Sequence, residues 1–229
     1  MISRRVFLDA DVLAAPMTRT VLVLASLTVG ARFAVCWSLA AEAEADQALR
    51  EGQTRVAELR QRFDWGTDVL VPDGDPDVMS GLTDTSPNDR HILAAAARGH
   101  VPVVVTRNVH DFGVADLRRL GMCTVHPDLF LSRTVSSVQY EEVLRAMAAG
   151  RLLPPNTPDT LHAALGAGHP RLFEAMHMAF PGVESLPSTD ARPLEVYRGD
   201  TCFLCGKILT DPESRASGTG PECRVRQTA

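Results

Sequence analysis

Acidic residues at the ends of apolar segments are the side chains with the clearest potential for chemistry in this sequence. Asp9 follows a short apolar run, and Asp111 lies just beyond the apolar segment "VPVVVT". Asp89 opens the segment "DRHILAAAARG", and Glu44 lies within a stretch rich in Ala and Glu. Carboxylates gathered in one cleft repel one another unless protons or a cation offset their charge. A divalent ion such as Mg²⁺ or Mn²⁺ takes oxygen ligands and keeps positions open for water and phosphate oxygens.

Each of these acids also has a simpler structural interpretation. Asp89 is a suitable N-cap for the helix that follows it, and Asp111 can be a turn residue. Glu44 can lie on a solvated helix face, with Glu42 beside it on a different face. Asp9 is harder to explain in this way, because an acid at the end of a buried strand seldom serves packing. The four acids together therefore indicate a site more strongly than any one of them does.

A sheet of parallel strands would bring the acids together. The segments "RRVFLDAD", "VPVVVT" and "MCTV" are predicted to be strands, with "MCTV" the last of them, and they alternate with predicted helices. This alternation predicts a parallel sheet covered by helices on both faces, with functional groups at the carboxyl ends of its strands. Ser38 is predicted to cap the helix that contains Glu44. We predict "RFAVCW" to be a brief extended link and residues 73–89 to be a polar loop.

Composition and charge limit the class of protein. Apolar residues make up 45% of the chain and charged residues 22%, which is ordinary for a globular protein. The formal charge of −5 argues weakly against a nucleic-acid coat, although it does not exclude a local basic patch. No run approaches the roughly 20 apolar residues of a membrane span. The basic start "MISRR" precedes a strand rather than a signal-peptide cleavage site, so we expect a cytoplasmic location.

Three of the five cysteines lie close together near the C-terminus. Cys202 and Cys205 are separated by two residues and followed by Gly206, which is typical of a zinc knuckle, and Cys223 follows the turn segment "GTGP". We predict a structural zinc site here, with reduced thiols in a flexible tail as the alternative. A structural zinc site normally has four ligands, and the fourth remains open between Asp211, Glu213, Glu222, a water molecule and a residue from elsewhere.

The order of five segments resembles the PIN-domain nucleases, and is closest to the branch that contains the VapC-type toxins. The segments are "VFLDADVL", "CWSLAAEAEADQAL", "SPNDRHILAAAARG", "VVVTRNVHDF" and "MCTVHPDLFL". The resemblance covers roughly residues 4–180, including "LLPPNTPDTLHAAL", which looks like the small helical extension of that branch. The cysteine segment is similar to small Cys-rich domains of unknown function with the pattern "C-x-x-C-G…L…S…G-x-G-P-x-C", and that similarity supplies no activity.

The PIN resemblance implies a three-layer α/β/α fold with a central parallel sheet, and cleavage of RNA with Mg²⁺ or Mn²⁺ held by acids. The matching catalytic and metal-binding positions are Asp9, Glu44, Asp89 and Asp111. Glu42 is the weaker alternative to Glu44, and Asn108 occupies a place where some members carry the last acid, so that position stays ambiguous. Asp11 and Thr106 would support the metal ligands, while Arg90 and Arg107 would hold substrate phosphate. His91 and His110 are left out of the catalytic set.

The implied mechanism is metal-assisted phosphodiester hydrolysis. One ion would lower the pKa of a bound water, and a second, if present, would stabilise the leaving oxygen. The resemblance implies a toxin of a toxin–antitoxin system, with a cognate antitoxin as partner and a possible homodimer. Two alternatives stay open: an inactive PIN-like binding module that recruits a partner through its zinc tail, and a phosphodiesterase that acts on DNA.

We expect four parts in the chain. The resemblance implies that residues 1–134 form the nuclease domain and residues 135–180 the helical extension. Residues 181–197 read as a linker, and residues 198–229 as the Cys-rich, zinc-binding tail.

Overall fold

A six-stranded sheet forms the centre of the computed structural model, which describes residues 4–62, 69–150, 157–187 and 195–225. Its strands are β1 (Arg4–Leu8), β2 (Phe33–Ser38), β3 (Leu70–Val71), β4 (Val103–Val105), β5 (Cys123–Val125) and β6 (Tyr197–Gly199). The strand order is β3-β2-β1-β4-β5-β6, and every pair is parallel except β5 with β6. The predicted fold class, α/β with a central parallel sheet, is confirmed.

Helices flank this sheet and complete a three-layer α/β/α arrangement. They are α1 (Ala10–Leu13), α2 (Pro16–Leu27), α3 (Leu39–Ala48), α4 (Val56–Arg62), α5 (Pro76–Ser80), α6 (Arg90–Arg98), α7 (Val114–Leu120), α8 (Pro127–Thr134), α9 (Ser137–Ala149), α10 (Pro158–Gly168), α11 (Pro170–Met176), α12 (Pro212–Ser217) and α13 (Pro221–Val225). Within the described ranges, no helix is both long and apolar enough to pass through a membrane.

The buried strands β1 and β4 end at the same edge of the sheet. β1 and β4 pair in parallel with Phe7 opposite Val104 and Leu8 opposite Val105, and all four side chains are fully buried. Burial on both faces requires uninterrupted apolar runs, which is what the sequence provides here. The N–H of Asp9 continues the ladder by donating to the carbonyl of Val105 at 3.1 Å. The carboxyl ends of β1 and β4 therefore lie side by side.

The helical extension after α8 is held by a buried cluster of rings. His162 is fully buried and stacks between Phe173 and Phe180, with ring centroids 4.3 Å and 4.5 Å away. Its Nδ1 lies 3.1 Å from the hydroxyl of Tyr140 on α9. α10, which carries His162, and α11, which carries Phe173, pack on each other.

Three local predictions are wrong. "RFAVCW" is not a brief link but belongs to β2, which lies between β1 and β3 in the sheet. Residues 73–89 contain α5, whose start is capped by Asp75 through a 2.8 Å hydrogen bond from Asp77 N. "MCTV" is not the last strand, because β6 pairs antiparallel with it. Two of the errors concern strands, β2 and β6, that are stabilised by pairing with neighbouring strands, whereas α5 is a short helix that begins at its own Asp75 cap inside a turn-rich segment.

Candidate active site

Five carboxylates lie at the carboxyl edge of the sheet, where β1, β2 and β4 end. We call this group the acidic edge, and its members are Asp9, Asp11, Glu44, Asp89 and Asp111. Asp9 and Asp11 follow β1, Glu44 is on the helix after β2, and Asp111 follows β4 in a short 3-10 turn (Val109–Asp111). Asp89 immediately precedes α6 and comes to the same edge, which is the placement that the sequence predicts.

Asp9 is a buried carboxyl group at the start of α1. Only 4% of the residue is exposed, and its side chain accepts a hydrogen bond from Ala10 N at 2.6 Å. Burial raises the pKa of Asp9 well above its ordinary value, and repulsion from Asp11 and Asp89 raises it further. A hydrogen bond from Thr106 opposes these effects only in part. A proton or a cation is needed to stabilise this group.

Asp11 has one carboxylate oxygen that is satisfied and one that is not. Its Oδ2 accepts from Arg107 N at 2.9 Å and from the Thr106 hydroxyl at 3.4 Å. Its Oδ1 is buried and has no hydrogen-bond partner in the described part of the chain. Burial is the main reason that the pKa of Asp11 rises to about 6. An unpaired buried oxygen of this kind is costly, and a bound cation would compensate it.

Asp89 occupies the N-cap position of α6, but its carboxylate makes no capping hydrogen bond to that helix. Burial raises its pKa, and repulsion from Asp111 and Glu44 adds to the rise, while a hydrogen bond from Ser86 and the charge of His91 lower it. The side chain therefore interacts with the acidic edge instead of the helix that it precedes.

Glu42 and Glu44 have clearly different surroundings on α3. Glu42 is buried and accepts hydrogen bonds from Trp37 Nε1 at 2.8 Å and from Arg60 Nε at 2.9 Å. Glu44 has 52% of its side chain exposed and lies 3.1 Å from His91 Nε2. The interactions of Glu42 are those of a structural residue, and Glu44 is the member of the pair that belongs to the acidic edge.

Asp111 and Asn108 both lie beyond β4, and they differ in what they contact. The carboxylate of Asp111 is near enough to Asp89 to raise the pKa of that residue, and it lies 3.3 Å from His110 Nε2. Asn108 is exposed, and its backbone N–H donates to the Thr106 hydroxyl at 3.0 Å. The structure thus links Asp111 electrostatically to the other acids of the edge.

The two arginines predicted to bind phosphate border the acidic edge. Arg90 is partly buried, and its Nε donates to the carbonyl of Thr85 at 3.1 Å. Arg107 is exposed, and its positive charge lowers the pKa of Asp11 and of the buried His126. One nitrogen of Arg90 is thus hydrogen-bonded to the loop before Asp89, whereas Arg107 lies close to the carboxylates.

The acids of the edge are spaced more widely than the tail cysteines. Among the described residues, the cysteines form the one group of three or more Cys, His, Asp or Glu whose ligand atoms all lie within 4.8 Å of one another. The acidic edge is therefore a set of mutually repelling carboxylates rather than a tight ligand cluster.

The cysteine site consists of Cys202, Cys205 and Cys223. Cys202 is buried, and burial raises its pKa, but the N–H groups of Gly220, Cys205 and Leu204 donate to its sulfur and lower the pKa overall. For Cys223, burial and the two neighbouring sulfurs raise the pKa to about 12. The thiolate is the form of cysteine that binds a metal. Because three adjacent thiolates repel one another, all three can be deprotonated at once only if a cation offsets their charge.

The three acids considered for the fourth position of the cysteine site have other partners. Asp211 caps α12 and accepts from Ser214 N at 2.8 Å. Glu213 lies 3.6 Å from Arg224 Nη2, and Glu222 lies 2.8 Å from Lys207 Nζ. No fourth His, Cys, Asp or Glu of the described ranges joins the group within 4.8 Å.

Asp116 is a positioning residue that sequence reasoning missed. It is buried on α7 and accepts hydrogen bonds from Asp84 N at 3.0 Å and Thr85 N at 2.8 Å. These bonds fix the loop that leads to Asp89. An acid in the first turn of a helix is usually a surface residue, so no local signal distinguishes it.

Comparisons with known proteins find one partial relative and one family without an assigned function. Over 97 residues the chain is 36% identical to "Putative ribonuclease VapC50" of Mycobacterium tuberculosis (strain ATCC 25618 / H37Rv), a match that covers 41% of this chain and 56% of that protein. The chain thus spans about half the length of this curated relative. Residues 192–227 match a family of unknown function, DUF6011. No solved structure was found to match. The partial match supports a relationship to the VapC ribonucleases.

Proposed function

We propose that the protein is a metal-dependent ribonuclease whose active site is the acidic edge. One observation carries the proposal: the buried Asp9 and the unpaired Oδ1 of Asp11 lie beside further carboxylates with which they interact unfavourably. Such an arrangement lowers the stability of the metal-free fold, and a bound divalent cation reverses that cost. The similarity to the mycobacterial VapC50 supports RNA as the substrate.

The donor set fits Mg²⁺ or Mn²⁺, since every side chain of the edge offers carboxylate oxygen. Asp9, Glu44, Asp89 and Asp111 would hold the ion, with Asp11 and Thr106 in support. When bound, such an ion supplies Lewis-acid stabilisation of the negative charge that develops during phosphodiester hydrolysis.

The remaining polar groups of the edge have supporting roles. Thr106 donates to Asp11 and also forms a hydrogen bond with Asp9, and so orients both carboxylates. His91 Nε2, 3.1 Å from Glu44, orients the most exposed acid. Arg107 would attract the substrate phosphate, because the residue is exposed and its charge acts on Asp11 of the edge.

A cleavage assay with matched variants tests the assignment. Purified protein is incubated with single-stranded RNA and with DNA of the same sequence, in Mn²⁺ and in EDTA. RNA should be cut in the presence of Mn²⁺ and not in EDTA. Asp9→Asn should lower the cleavage rate by at least about 100-fold, since a metal lowers the activation free energy of such a reaction by several kcal/mol. Asp77→Asn, which changes an exposed acid on α5, should cut at the wild-type rate.

Two outcomes of this experiment, and one outcome of a separate metal titration, would count against the proposal. Full activity in a folded Asp9→Asn variant contradicts the role of the acidic edge. Cleavage of DNA in preference to RNA supports the DNA-directed alternative. A titration in which the wild-type protein binds no Mn²⁺ at the acidic edge supports an inactive binding module instead.

We further propose that the protein acts as a toxin restrained by a small antitoxin, on the basis of the similarity to VapC50. A gene for a short protein directly beside the gene of this chain, whose product binds the chain and suppresses RNA cleavage, is the expected finding. A genomic neighbour that neither binds nor inhibits would remove this part of the proposal and leave the nuclease activity untouched.

We also propose that the cysteine site binds one structural Zn²⁺, with a water molecule or a group outside the described residues as its fourth ligand. Its support is the approach of three sulfurs within 4.8 Å and the N–H groups that donate to Cys202. Elemental analysis should find one zinc per chain. The four-part division at residues 134, 180 and 197 stays a proposal, and limited proteolysis tests its boundaries.

A further inference from the structure

The turn that carries Asp111 is held by donors from two other parts of the chain. The N–H of Ser86 donates to the carbonyl of Asp111 at 2.8 Å. Arg198 lies in β6, and its Nη1 donates to the carbonyls of the two residues that flank Asp111, His110 at 2.7 Å and Phe112 at 3.1 Å. Three consecutive carbonyls therefore accept hydrogen bonds from outside the turn, and two of them depend on one side chain of the tail.

Arg198 is itself held in a fixed orientation. Its Nε lies 3.1 Å from both carboxylate oxygens of Glu195, and its Nη2 lies 2.5 Å from one of them. Only 23% of the arginine side chain is exposed. A guanidinium paired with a carboxylate in this way keeps its plane fixed, so that Nη1 points at the turn. A lysine has a single nitrogen and cannot keep all of these contacts at once.

A short and tightly packed segment joins Arg198 to the cysteine site. Gly199 has a φ of +137°, and a Cβ at this position would lie 2.7 Å from Cys123 Cβ, so the backbone of β6 packs directly on β5. Cys202 follows four residues after Arg198, is fully buried, and its N–H donates to the carbonyl of Lys207 at 2.8 Å. Order at the cysteine site and the position of Arg198 are therefore physically connected.

We propose that Arg198 is a positioning residue for Asp111, and that metal bound at the cysteine site acts on the acidic edge through it. The inference rests on the proposed nuclease function, since the position of Asp111 matters for activity only if the acidic edge holds the catalytic ion. Loss of the tail metal releases the sulfurs from their shared cation, which loosens the segment that follows β6. Arg198 then no longer holds the carbonyls of His110 and Phe112, and Asp111 loses its fixed position.

The test uses the full chain and a matched set of arginine variants. Arg198→Ala removes the link, and Arg198→Lys keeps the charge. Arg118→Ala is the control, because the exposed Arg118 also joins α7 to the tail, through a 2.6 Å bond to Asp200, without reaching the turn. Each protein is measured as purified and after removal of zinc with a chelator that is then washed out. The readouts are amide hydrogen exchange of residues 109–112 and Mn²⁺ affinity by electron paramagnetic resonance of the free ion.

We expect zinc removal and Arg198→Ala each to speed exchange at residues 109–112 by at least about tenfold, or about 1.4 kcal/mol. Mn²⁺ binding should weaken by a similar factor. Removing zinc from Arg198→Ala should add no further change, because both perturbations act through the same contact. Arg198→Lys should fall between wild type and Arg198→Ala, and Arg118→Ala should behave as wild type. If circular dichroism shows that Arg198→Ala is unfolded, Arg198→Lys carries the comparison.

Unchanged exchange and unchanged Mn²⁺ affinity after both perturbations would overturn the inference, and so would wild-type protein that binds no metal at its cysteines. RNA cleavage is measured separately on the same samples. Coupled exchange without any cleavage refutes the proposed nuclease function alone. Cleavage that persists while the coupling is missing refutes the positioning role alone.

Discussion

Replacing Asp11 by asparagine should stabilise the metal-free protein at neutral pH. Burial, as the main cause, raises the pKa of Asp11 from its ordinary 3.8 to about 6. A carboxyl group whose pKa is higher in the folded state favours folding while both states are protonated, below pH 3.8. That contribution is lost as the pH rises through about 6, because the unfolded chain releases the proton more easily.

The size of the effect follows from the two pKa values. The gap between 3.8 and about 6 corresponds to about 3 kcal/mol at neutral pH. Asparagine avoids this loss but weakens the hydrogen bond from Arg107 N by about 1 kcal/mol, which leaves a gain of about 2 kcal/mol. For a chain of this size, that gain raises the Tm by about 4 to 8 °C. Mn²⁺ at about 100 times its Kd should raise the free energy of unfolding of the wild type by about 2.7 kcal/mol, so that the variant is no longer the more stable protein.

Thermal unfolding between pH 4 and pH 8 in EDTA measures this directly. The Tm of the wild type should fall across the interval, the curve of Asp11→Asn should be flatter, and the exposed-acid control Asp77→Asn should follow the wild type. If Tm fell with pH to the same extent in the wild type and in Asp11→Asn over the whole interval, the buried charge of Asp11 would not be the cause of the pH dependence.

Five further substitutions separate structural from functional roles. Glu42→Gln should lower the free energy of unfolding by about 2 kcal/mol, because the mostly buried guanidinium of Arg60 loses its charged partner, whereas Glu44→Gln should reduce RNA cleavage and leave urea unfolding unchanged. Gly199→Ala should cost about 3 kcal/mol, since the new Cβ clashes with β5, and a lower Tm with slow loss of bound zinc is the expected readout. Cys202→Ser should abolish zinc binding in elemental analysis, while Cys36→Ser, in the buried β2, should keep one zinc per chain.

The fold class was predictable because local sequence patterns show the order of strands and helices along the chain. Apolar runs such as "VPVVVT" alternate with helical segments, and this alternation restricts the sheet to parallel strands with covered faces. The short strands were harder to predict. "RFAVCW" contains residues that favour an extended conformation, but neither its composition nor that of β6 shows which strands it pairs with.

The acidic edge was predictable as a location, and the surroundings of its individual residues needed the structure. The sequence left Asp89 open between N-cap and site residue; its side chain makes no capping hydrogen bond, and its role in the site stays a proposal. The sequence also left Glu42 as an alternative to Glu44. In the structure the two differ in exposure, since Glu42 is buried and Glu44 is exposed. Asp116 and Arg198 had no local signal, since each acts on a segment more than 30 residues away in the chain. Contacts at such separations depend on the complete fold.

The most direct test of the central claim is cleavage of RNA by wild type and Asp89→Asn as a function of Mn²⁺ concentration. Asp89→Asn keeps the size and the N-cap position of the side chain and removes only its charge. The acidic edge predicts cleavage that requires Mn²⁺ in the wild type, and a folded Asp89→Asn variant without measurable cleavage at any Mn²⁺ concentration tested. Equal rates in the two proteins, or cleavage by the wild type that persists in EDTA, would contradict it.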